Sequence, residues 1–270
     1  MRFSCLPVSY FSQVNAGGMT LPDWGREAAS LGFDGFDISS IFIMRHTPVY
    51  LRKFREFLDE SPIPLVMMTT YPDFTHPDAI QRRREIDYYI SEIAVCSQLG
   101  IPYLRLLGGQ AWPGVSVEQG LEYMAEAFSR ISNAARSYNV TLVYENHAKP
   151  ADWDYLDFGF PLSVFRRIIP LINGRTIRLN FDTANATAAG ADSLRLLREV
   201  YPLVETLHLS DTASDTALVP AQIGTGLTPN REILEWLRTQ QFGGWICIEE
   251  ASGQGQNGIR AALDFVRPFR

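Results

Sequence analysis

The feature that most constrains how this chain can fold is the alternation of short β-rich runs with stretches of helical periodicity. The runs recur roughly every 30 to 40 residues, a spacing that implies parallel strands joined by crossover helices. Eight such units in 270 residues favour one closed (β/α)8 barrel over residues 1–270, because about 250 residues are typical of that fold. The predicted strands are Phe3–Phe11, Gly35–Ser39, Pro64–Tyr71, Tyr103–Leu107, Thr141–His147, Ile177–Phe181, Thr206–Leu209 and Trp245–Ile248.

Several helices carry clear signals at their ends. Apolar residues recur at every third or fourth position from Val117 to Tyr138, and Ser116 with Gln119 forms a capping box at the start of that segment. Three helix ends share one pattern: an apolar residue, then a residue suited to a left-handed C-cap, then a strand. These predicted C-caps are Gly32, Gly100 and Asn139.

An open, doubly wound sheet is the alternative architecture for such an alternation. Its usual marker is a Gly-x-Gly-x-x-Gly turn after the first strand, and Gly17-Gly18 does not fit that pattern. No linker or shift in composition divides the chain, so a single domain is expected.

Charge and cysteine content exclude several classes of protein. The 24 Lys and Arg residues against 30 Asp and Glu residues give a formal charge of −6, so no nucleic-acid partner is expected. Three widely spaced cysteines argue against a disulfide framework or a thiolate zinc site. No stretch approaches the ~18 continuous apolar residues of a membrane span, and the first residues read as a strand rather than a signal peptide. We therefore expect a cytoplasmic protein without a membrane partner.

Polar side chains end the last four predicted strands, at the face where a (β/α)8 barrel carries its chemistry. An unpaired charge behind apolar strand residues is costly, and a bound divalent cation would remove that cost. Three oxygen donors and one nitrogen suit Mn²⁺ or Mg²⁺, and Co²⁺ or Zn²⁺ would also be compatible. Taken singly, such a carboxylate could instead cap a helix, and such a histidine could be a core residue. The four candidate ligands of one cation are Glu145, Asp182, His208 and Glu249.

These strand ends resemble those of a known family. The xylose isomerase-like barrel superfamily has similar motifs at Tyr144–His147, Asn180–Asn185, Leu207–Asp211 and Gly244–Glu250, and a similar Gly-x-Gly turn at Gly224–Gly226. The superfamily includes sugar and sugar phosphate isomerases and epimerases, inosose dehydratase and endonuclease IV. The resemblance covers the whole chain, is most specific in its second half, and implies a TIM barrel with a metal-dependent activity.

The resemblance also implies roles for residues at the site. It favours Glu249 over the adjacent Glu250, whose side chain would point to the opposite face of the strand. His147 shares a strand face with Glu145, so we expect it to contact substrate or handle a proton, with pairing to a neighbouring strand as the alternative. Ketose 3-epimerases have a histidine where this chain has Asn185, and an arginine after the seventh strand that this chain lacks. Asn185 is therefore expected to contact a different substrate from theirs.

The aromatic segment Lys149–Pro161 follows the fifth predicted strand and would lie beside the barrel mouth. Trp153 could stack on the apolar face of a sugar ring, and Lys149 could bind a hydroxyl or phosphate group. Trp112, in the loop after the fourth predicted strand, could act in the same way. A loop that packs on itself, or an oligomer contact, is the alternative for this segment.

The implied chemistry is abstraction of the proton beside the carbonyl of a sugar, keto sugar or sugar phosphate, through a metal-stabilised enediolate. Glu145 and Glu249 are the predicted catalytic base and acid. Return of the proton to the other face gives an epimer, its return to the neighbouring carbon gives an isomer, and loss of a β-hydroxyl gives dehydration.

We therefore expect a metal-dependent sugar isomerase or epimerase with a carbohydrate substrate, which could form a homo-oligomer. A lyase of the inosose dehydratase type would use the same site, and a non-catalytic sugar-binding barrel is a third alternative. Endonuclease IV activity is not expected, because its three-metal cluster needs further ligands. The earlier predicted strands end in Met67–Thr70 and Gly108–Gln110, which offer none.

Overall fold

Eight parallel strands form a nearly closed barrel in the computed structural model, which describes residues 1–172 and 176–270. Each strand from the second to the seventh pairs with the next in the chain, and the eighth returns to pair with the first. The closed barrel is therefore confirmed, and the open-sheet alternative is wrong. The strands are β1 (Arg2–Leu6), β2 (Phe36–Ser39), β3 (Leu65–Thr69), β4 (Tyr103–Leu106), β5 (Thr141–Glu145), β6 (Ile177–Asp182), β7 (Val204–Leu209) and β8 (Trp245–Glu249).

The seam between β1 and β2 has no regular ladder, and Asp34 joins the two strands there. Its backbone N–H donates to the Phe3 carbonyl at 2.9 Å. Its carboxylate accepts from the Phe3 N–H at 2.8 Å. These two bonds satisfy backbone groups that would otherwise be left unpaired at the gap.

Helices cover the outside of the barrel between successive strands. Their apolar faces pack on the outward-pointing strand residues and form the main hydrophobic core. In the described part of the chain the helices are α1 (Phe11–Asn15), α2 (Leu21–Leu31), α3 (Pro48–Glu60), α4 (Ala79–Leu99), α5 (Val117–Tyr138), α6 (Leu162–Ile172), α7 (Thr183–Ala188), α8 (Ser193–Val200), α9 (Asn230–Thr239) and α10 (Gln256–Val266). No helix among these combines the length and the apolar character that crossing a membrane requires.

The predicted helix ends are confirmed. Ser116 and Gln119 form a reciprocal capping box at the start of α5. The C-caps of α2, α4 and α5 all have left-handed backbone, with φ of 94° at Gly32, 72° at Gly100 and 55° at Asn139. Each cap turns the chain from a helix end into the next strand, as the sequence pattern predicts.

The first predicted strand, Phe3–Phe11, was too long. The strand ends at Leu6, and residues 8–15 form two short helical turns. Pro7 lacks a backbone N–H, so it cannot continue the ladder with β8. At the opposite end of the chain, β8 extends one residue beyond its predicted end, so that Glu249 is part of the strand.

The barrel interior is unusually polar. Strand residues alternate between the helix-covered core and the inside of the barrel. At the positions that face the inside of the barrel, and so do not belong to the outer core, most strands carry buried polar side chains. They include Ser4, Asp37, Thr69, Arg105, Glu145, Asn180, Asp182, Thr206 and His208. Such a lining must satisfy its polar atoms within the barrel or through a bound group.

Substitution of Gly35 by alanine tests the packing at the entrance of β2. An added Cβ would lie 2.5 Å from Val66 Cγ2 and 3.0 Å from the Trp245 ring, so these side chains or the backbone at residue 35 must shift. Overpacking of this kind costs about 1–3 kcal/mol, and we expect G35A to lower the free energy of unfolding in urea by that amount. Gly243→Ala is the matched control, because nothing lies within 4 Å of its added Cβ. Equal losses in both variants would contradict this account of the packing.

Candidate metal centre

Four side chains from the last four strands converge at the C-terminal mouth of the barrel. Glu145, Asp182 and Glu249 are the final residues of β5, β6 and β8, and His208 is the penultimate residue of β7. Each offers one ligand atom, and these atoms all lie within 4.8 Å of one another. The parallel register of β6 and β7 places Asp182 beside His208. The four side chains could together hold a metal ion.

His208 lies at the centre of the group. Its Nδ1 is 2.9 Å from Glu249 Oε2 and 3.4 Å from Glu145 Oε1. Its side chain and that of Glu145 are fully buried, whereas the Glu249 side chain is 21% exposed. The group is therefore open to the mouth on the Glu249 side and closed on the barrel side.

A buried guanidinium contacts the same group from β4. Arg105 is only 2% exposed, and its Nε lies 3.0 Å from Glu145 Oε2. The guanidinium also lies over the ring of Tyr71, 4.8 Å from the ring centroid. Arg105 therefore supplies a permanent positive charge beside the carboxylates of the site.

The electrostatics of the site reflect this crowding. Burial acts to raise the pKa of Glu145, but His208 and Arg105 outweigh it and lower that pKa to about 2. Burial, reinforced by the Glu145 and Glu249 carboxylates, raises the pKa of Asp182 well above its usual range. Burial acts to lower the pKa of His208, but the same two glutamates raise it well above its ordinary value. With no cation present, the group thus relieves its crowded negative charge by binding protons more tightly at Asp182 and His208.

The unpartnered atoms of the group fit a cation. Both carboxylate oxygens of Glu145 and both ring nitrogens of His208 are buried. Apart from their ion-pair contacts with Arg105, with Glu249 and with each other, they have no hydrogen-bond partner among the described residues. Buried polar atoms of this kind are costly unless a bound group satisfies them. Three carboxylates and one imidazole are donors that Mn²⁺, Mg²⁺, Co²⁺ and Zn²⁺ all accept. The residues present therefore fit a single divalent ion.

Asp182 is held in place by its neighbours on three elements. The Asn146 side chain donates to the Asp182 carbonyl at 2.8 Å and accepts from its N–H at 2.9 Å. Ser210 Oγ lies 2.8 Å from Asp182 Oδ2, and the Asn185 N–H donates to Oδ1 at 2.6 Å. Hydrogen bonds to a carboxylate ligand fix its orientation toward the ion.

Adjacent glutamates at the end of β8 have different surroundings. Glu250 is fully buried and accepts hydrogen bonds from the Ser9 hydroxyl and, at 2.8 Å, from the Ser252 N–H. Its carboxylate would lie 2.7 Å from a Cβ on Gly258, so it packs tightly against α10. Glu249 lies with the candidate ligands, and Glu250 ties together the loops after β1 and β8.

A second group of buried donors lies deeper in the barrel and shares His208 with the first. Asp37 and Cys247 have ligand atoms within 4.8 Å of one another and of the imidazole. Asp37 accepts from Ser4 Oγ at 3.1 Å, and burial raises its pKa to about 6. A pKa of about 6 means that Asp37 loses its charge at a higher pH than an ordinary aspartate does when the solution is acidified.

His147 and Asn185 lie at the mouth next to the candidate ligands. They line a cavity of ≈ 40 Å³. Burial lowers the pKa of His147 to about 4, so its imidazole is neutral at pH 7. The Asn185 side-chain oxygen accepts from the Ala148 N–H at 3.0 Å, which fixes its position. The residues that line this cavity are His147, Asp182, Asn185, Ser210, Asp211, Leu218, Pro220, Glu249 and Ala251.

Lys149, Trp112 and Trp153 do not line this cavity. Lys149 is exposed, whereas Trp153 is buried. Trp112 donates from Nε1 to Asp73 Oδ2 at 2.8 Å, and its ring packs edge-on against those of His76 and Tyr155. The loop after β5 is thus anchored to the loops after β3 and β4, and substrate contact by these three residues stays a prediction.

Sequence reasoning missed Arg105 and the structural role of Asp211. Arg105 stands inside the apolar run Tyr103–Leu107, and a charge within such a run signals a buried ion pair. Asp211 follows His208 by three residues and accepts hydrogen bonds from the backbone of its own loop. No local pattern distinguishes an aspartate of that kind from a metal ligand.

The profile of the xylose isomerase-like TIM barrel family matches residues 26–269. Two similar curated proteins are each named probable endonuclease 4. The one from Methanoculleus marisnigri is 29% identical over 195 residues, which cover 67% of this chain and 64% of the relative. The one from Thermotoga neapolitana is 24% identical over 142 residues, or 48% and 47% of the two chains. The chain thus matches about half to two thirds of the length of these relatives.

Solved structures with the same fold span the whole chain. A D-tagatose 3-epimerase-like protein has a TM-score of 0.77 at 15% identity, covering 100% of this chain and 97% of its own. The probable 3-DHS dehydratase AsbF of Bacillus anthracis has a TM-score of 0.78 at 14% identity, covering 98% of both chains. The IOLI protein, solved with a zinc atom, has a TM-score of 0.77 at 15% identity, covering 100% and 99%. At these identities the similarity shows the fold.

Replacement of Arg105 by methionine tests whether the guanidinium holds the carboxylates together in the metal-free protein. Removal of one partner of a buried ion pair costs about 3–5 kcal/mol, so R105M should unfold in EDTA at much lower urea concentration. The double variant R105M/E145Q should recover part of that loss, because Glu145 then carries no charge. Additive effects of the two substitutions in a double-mutant cycle would contradict the pairing.

Proposed function

Because the chain belongs to the xylose isomerase-like TIM barrel family, we propose that it is a divalent-metal-dependent isomerase or epimerase of a sugar or keto sugar. The convergence of Glu145, Asp182, His208 and Glu249 at the C-terminal mouth carries this proposal. A barrel that served only as a scaffold would gain nothing from three carboxylates so close together, since each is costly to bury. The similar fold of a D-tagatose 3-epimerase-like protein supports the same class of reaction.

The four converging residues would hold the cation, with Mn²⁺ or Mg²⁺ as the first candidates. When bound, a divalent ion would polarise a substrate carbonyl and offset the negative charge that develops on its oxygen. Arg105 would hold Glu145 through Oε2, which leaves Oε1 directed toward His208 and the shared site. Ser210 and Asn146 would keep Asp182 in place during turnover.

Glu145 and Glu249 are the proposed base and acid. They end strands that lie three apart in the barrel order, so their carboxylates approach the centre from different sides. One would remove the proton beside the carbonyl, and the other would return a proton to the opposite face or to the neighbouring carbon. The first outcome gives an epimer and the second an aldose–ketose isomer. His147, neutral at pH 7 because burial lowers its pKa to about 4, could donate or accept a hydrogen bond at a substrate hydroxyl.

The size of the mouth implies that loops move when substrate binds. The cavity of ≈ 40 Å³ has room for an ion and little else, whereas pockets for small ligands are typically about 300–1,000 Å³. Leu218 and Pro220, from the loop between β7 and α9, form part of its wall. The tip of this loop, which carries Leu218 and Pro220, is the proposed moving element, and its displacement would open space above Glu249 and His147. Asp211 would hold the base of the loop in place.

A dehydratase acting through the same site is the second candidate. The fold similarity to a probable 3-DHS dehydratase supports it. The two reactions give different products: isomerisation exchanges a carbon-bound proton with solvent, and dehydration releases an unsaturated ketone. Incubation of the Mn²⁺-loaded protein with a panel of ketoses and keto sugars in D₂O would distinguish them. Mass spectrometry would detect incorporated deuterium, and near-ultraviolet absorbance would detect the unsaturated ketone.

The probable endonuclease 4 relatives favour a third activity, on DNA, which we do not adopt. Among the described residues, the groups of donors that could hold a metal are the four-residue site and the deeper Asp37–His208–Cys247 group. The ends of β3 and β4 add neither a histidine nor a carboxylate, since they carry Thr69 and Leu106. The formal charge of −6 also disfavours a phosphate backbone.

Substitution of each glutamate by glutamine tests the mechanism. We expect E145Q and E249Q to lose about 10²-fold or more in turnover, because general acid–base catalysis contributes that much. The far-ultraviolet circular dichroism should stay unchanged. Glu250→Gln is the matched control, since Glu250 binds Ser9 and Ser252 instead of the site, and should retain most activity. Near-normal turnover in either E145Q or E249Q would exclude the two-glutamate mechanism.

The metal requirement has its own test. After loading with Mn²⁺ and desalting, we expect elemental analysis to find about one ion per chain. Because a ligand present at 100 times its Kd stabilises the folded state by about 2.7 kcal/mol, added Mn²⁺ should also raise the melting temperature. Asp182→Asn should reduce both effects, and E250Q should not. Absence of bound metal in the unaltered protein would refute the site.

A further inference from the structure

The loop after β7 wraps around a single carboxylate. Asp211 is 3% exposed and accepts four backbone hydrogen bonds. Its Oδ1 accepts from the Thr212 and Thr228 N–H groups at 2.9 and 3.1 Å. Its Oδ2 accepts from the Gly224 and Gly226 N–H groups at 2.9 and 3.0 Å. Four N–H groups that point at one centre form an anion-binding cradle.

Two glycines allow the backbone N–H groups of this cradle to approach the Asp211 carboxylate closely enough for hydrogen bonds. Gly224 has a φ of +89°, a conformation that side chains disfavour. A Cβ on Gly226 would lie 2.3 Å from Asp211 Oδ1 and 2.5 Å from the Thr212 carbonyl oxygen. The Gly-x-Gly turn is therefore shaped around the aspartate, because any side chain at Gly226 would displace the carboxylate.

The position of the cradle affects whether a phosphorylated substrate can bind. In (β/α)8 barrels a phosphate group is often bound by backbone N–H groups of the loops after the seventh and eighth strands. In this chain the four converging N–H groups of the loop after β7 are already satisfied by Asp211, which also lines the mouth cavity. A phosphate brought to this cradle would find its four donors already occupied and would face the Asp211 carboxylate.

Within the described part of the chain, the residues that line the mouth cavity include no cationic side chain that could bind a phosphate in place of the cradle. None of the described residues that line the cavity is a lysine or an arginine. Lys149 is exposed and outside it, and Arg105 is engaged with Glu145 at 3.0 Å. The carboxylates of Asp182 and Glu249 line the same space and would repel a second anion.

We infer that Asp211 is an internal anion that occupies the phosphate position of this barrel, and that the substrate is therefore an unphosphorylated sugar or keto sugar. The statement about substrate rests on the proposed function, whereas the statement about the cradle does not. Asp211 thus acts as a specificity-determining residue: it shapes the loop above the site and excludes phosphate esters from it.

The cradle is tested by chemical rescue of Asp211→Ala. The variant leaves four backbone N–H groups without an acceptor, so we expect a lower melting temperature that added sodium formate raises more than sodium chloride does. The matched control is Asp192→Ala, at the start of α8. Among the described residues, the Asp192 carboxylate accepts a single N–H, from Arg195. Formate should not restore D192A. A folded D211A without a formate-specific response would overturn the cradle.

Inorganic phosphate tests the occupied site in the unaltered protein, whether or not D211A folds. Isothermal titration of the Mn²⁺-free protein with phosphate should give no saturable binding, because Asp211 blocks the N–H groups. Saturable binding to the unaltered protein, lost when Gly226→Ala disrupts the turn, would overturn the inference.

Pairs of free and phosphorylated sugars test the consequence for substrate. With Mn²⁺ present, we expect solvent deuterium to enter a free ketose or keto sugar at least about tenfold faster than its phosphate ester, since like charges brought together lower binding by that much or more. Faster exchange of the ester would overturn the inference and leave the proposed function standing. Exchange with neither class would count against the proposed function, and formate rescue and phosphate titration would still decide the cradle.

Discussion

Repulsion among three carboxylates, two of them buried and one partly exposed, is the interaction on which the rest of this structure depends. Glu145, Asp182 and Glu249 meet around His208 with ligand atoms within 4.8 Å of one another. Arg105 provides one positive charge at 3.0 Å from Glu145, and a divalent cation would supply the two that remain. Together they would match the charge of the three carboxylates, so the site would be neutral before a substrate arrives. The residues at the mouth could therefore hold a cation that balances their charge, and this fit supports the proposed catalytic role.

Two acidic side chains outside this group, Asp73 and Asp211, hold loops in place through hydrogen bonds. Asp73 accepts hydrogen bonds from Gln110 and Trp112. Gln110 in turn accepts from the backbone of the loop after β5. Asp211 organises the loop after β7 through four backbone N–H groups. The mouth is therefore framed by anchored loops, and the same residue types serve as ligands or as anchors according to what surrounds them.

Much of the architecture could be predicted from local patterns. Helical periodicity and end signals predict the capping box at Ser116 and the left-handed caps at Gly32, Gly100 and Asn139, because these depend on residues only a few positions apart. The end of the first strand was wrong, since apolar content alone does not separate Val8–Tyr10 from a strand. Sugar contact by Trp112 stays a prediction, and the structure adds a contact that the sequence did not predict: Trp112 donates to Asp73, which lies in another loop. That contact depends on how three loops meet and leaves no trace in the local sequence.

The sequence by itself determined the barrel, because eight repeats of strand and helix in one chain of this length close in one way, and it determined which strand ends carry ionisable residues. Only the tertiary structure decided the partners of those residues. Arg105 reaches Glu145 across 40 positions of sequence, and Asp211 takes N–H groups from up to 17 positions away. Local periodicity fixes which side of a strand a residue occupies. Strand register and loop geometry determine which residues these side chains contact, and both exist only once the barrel has formed.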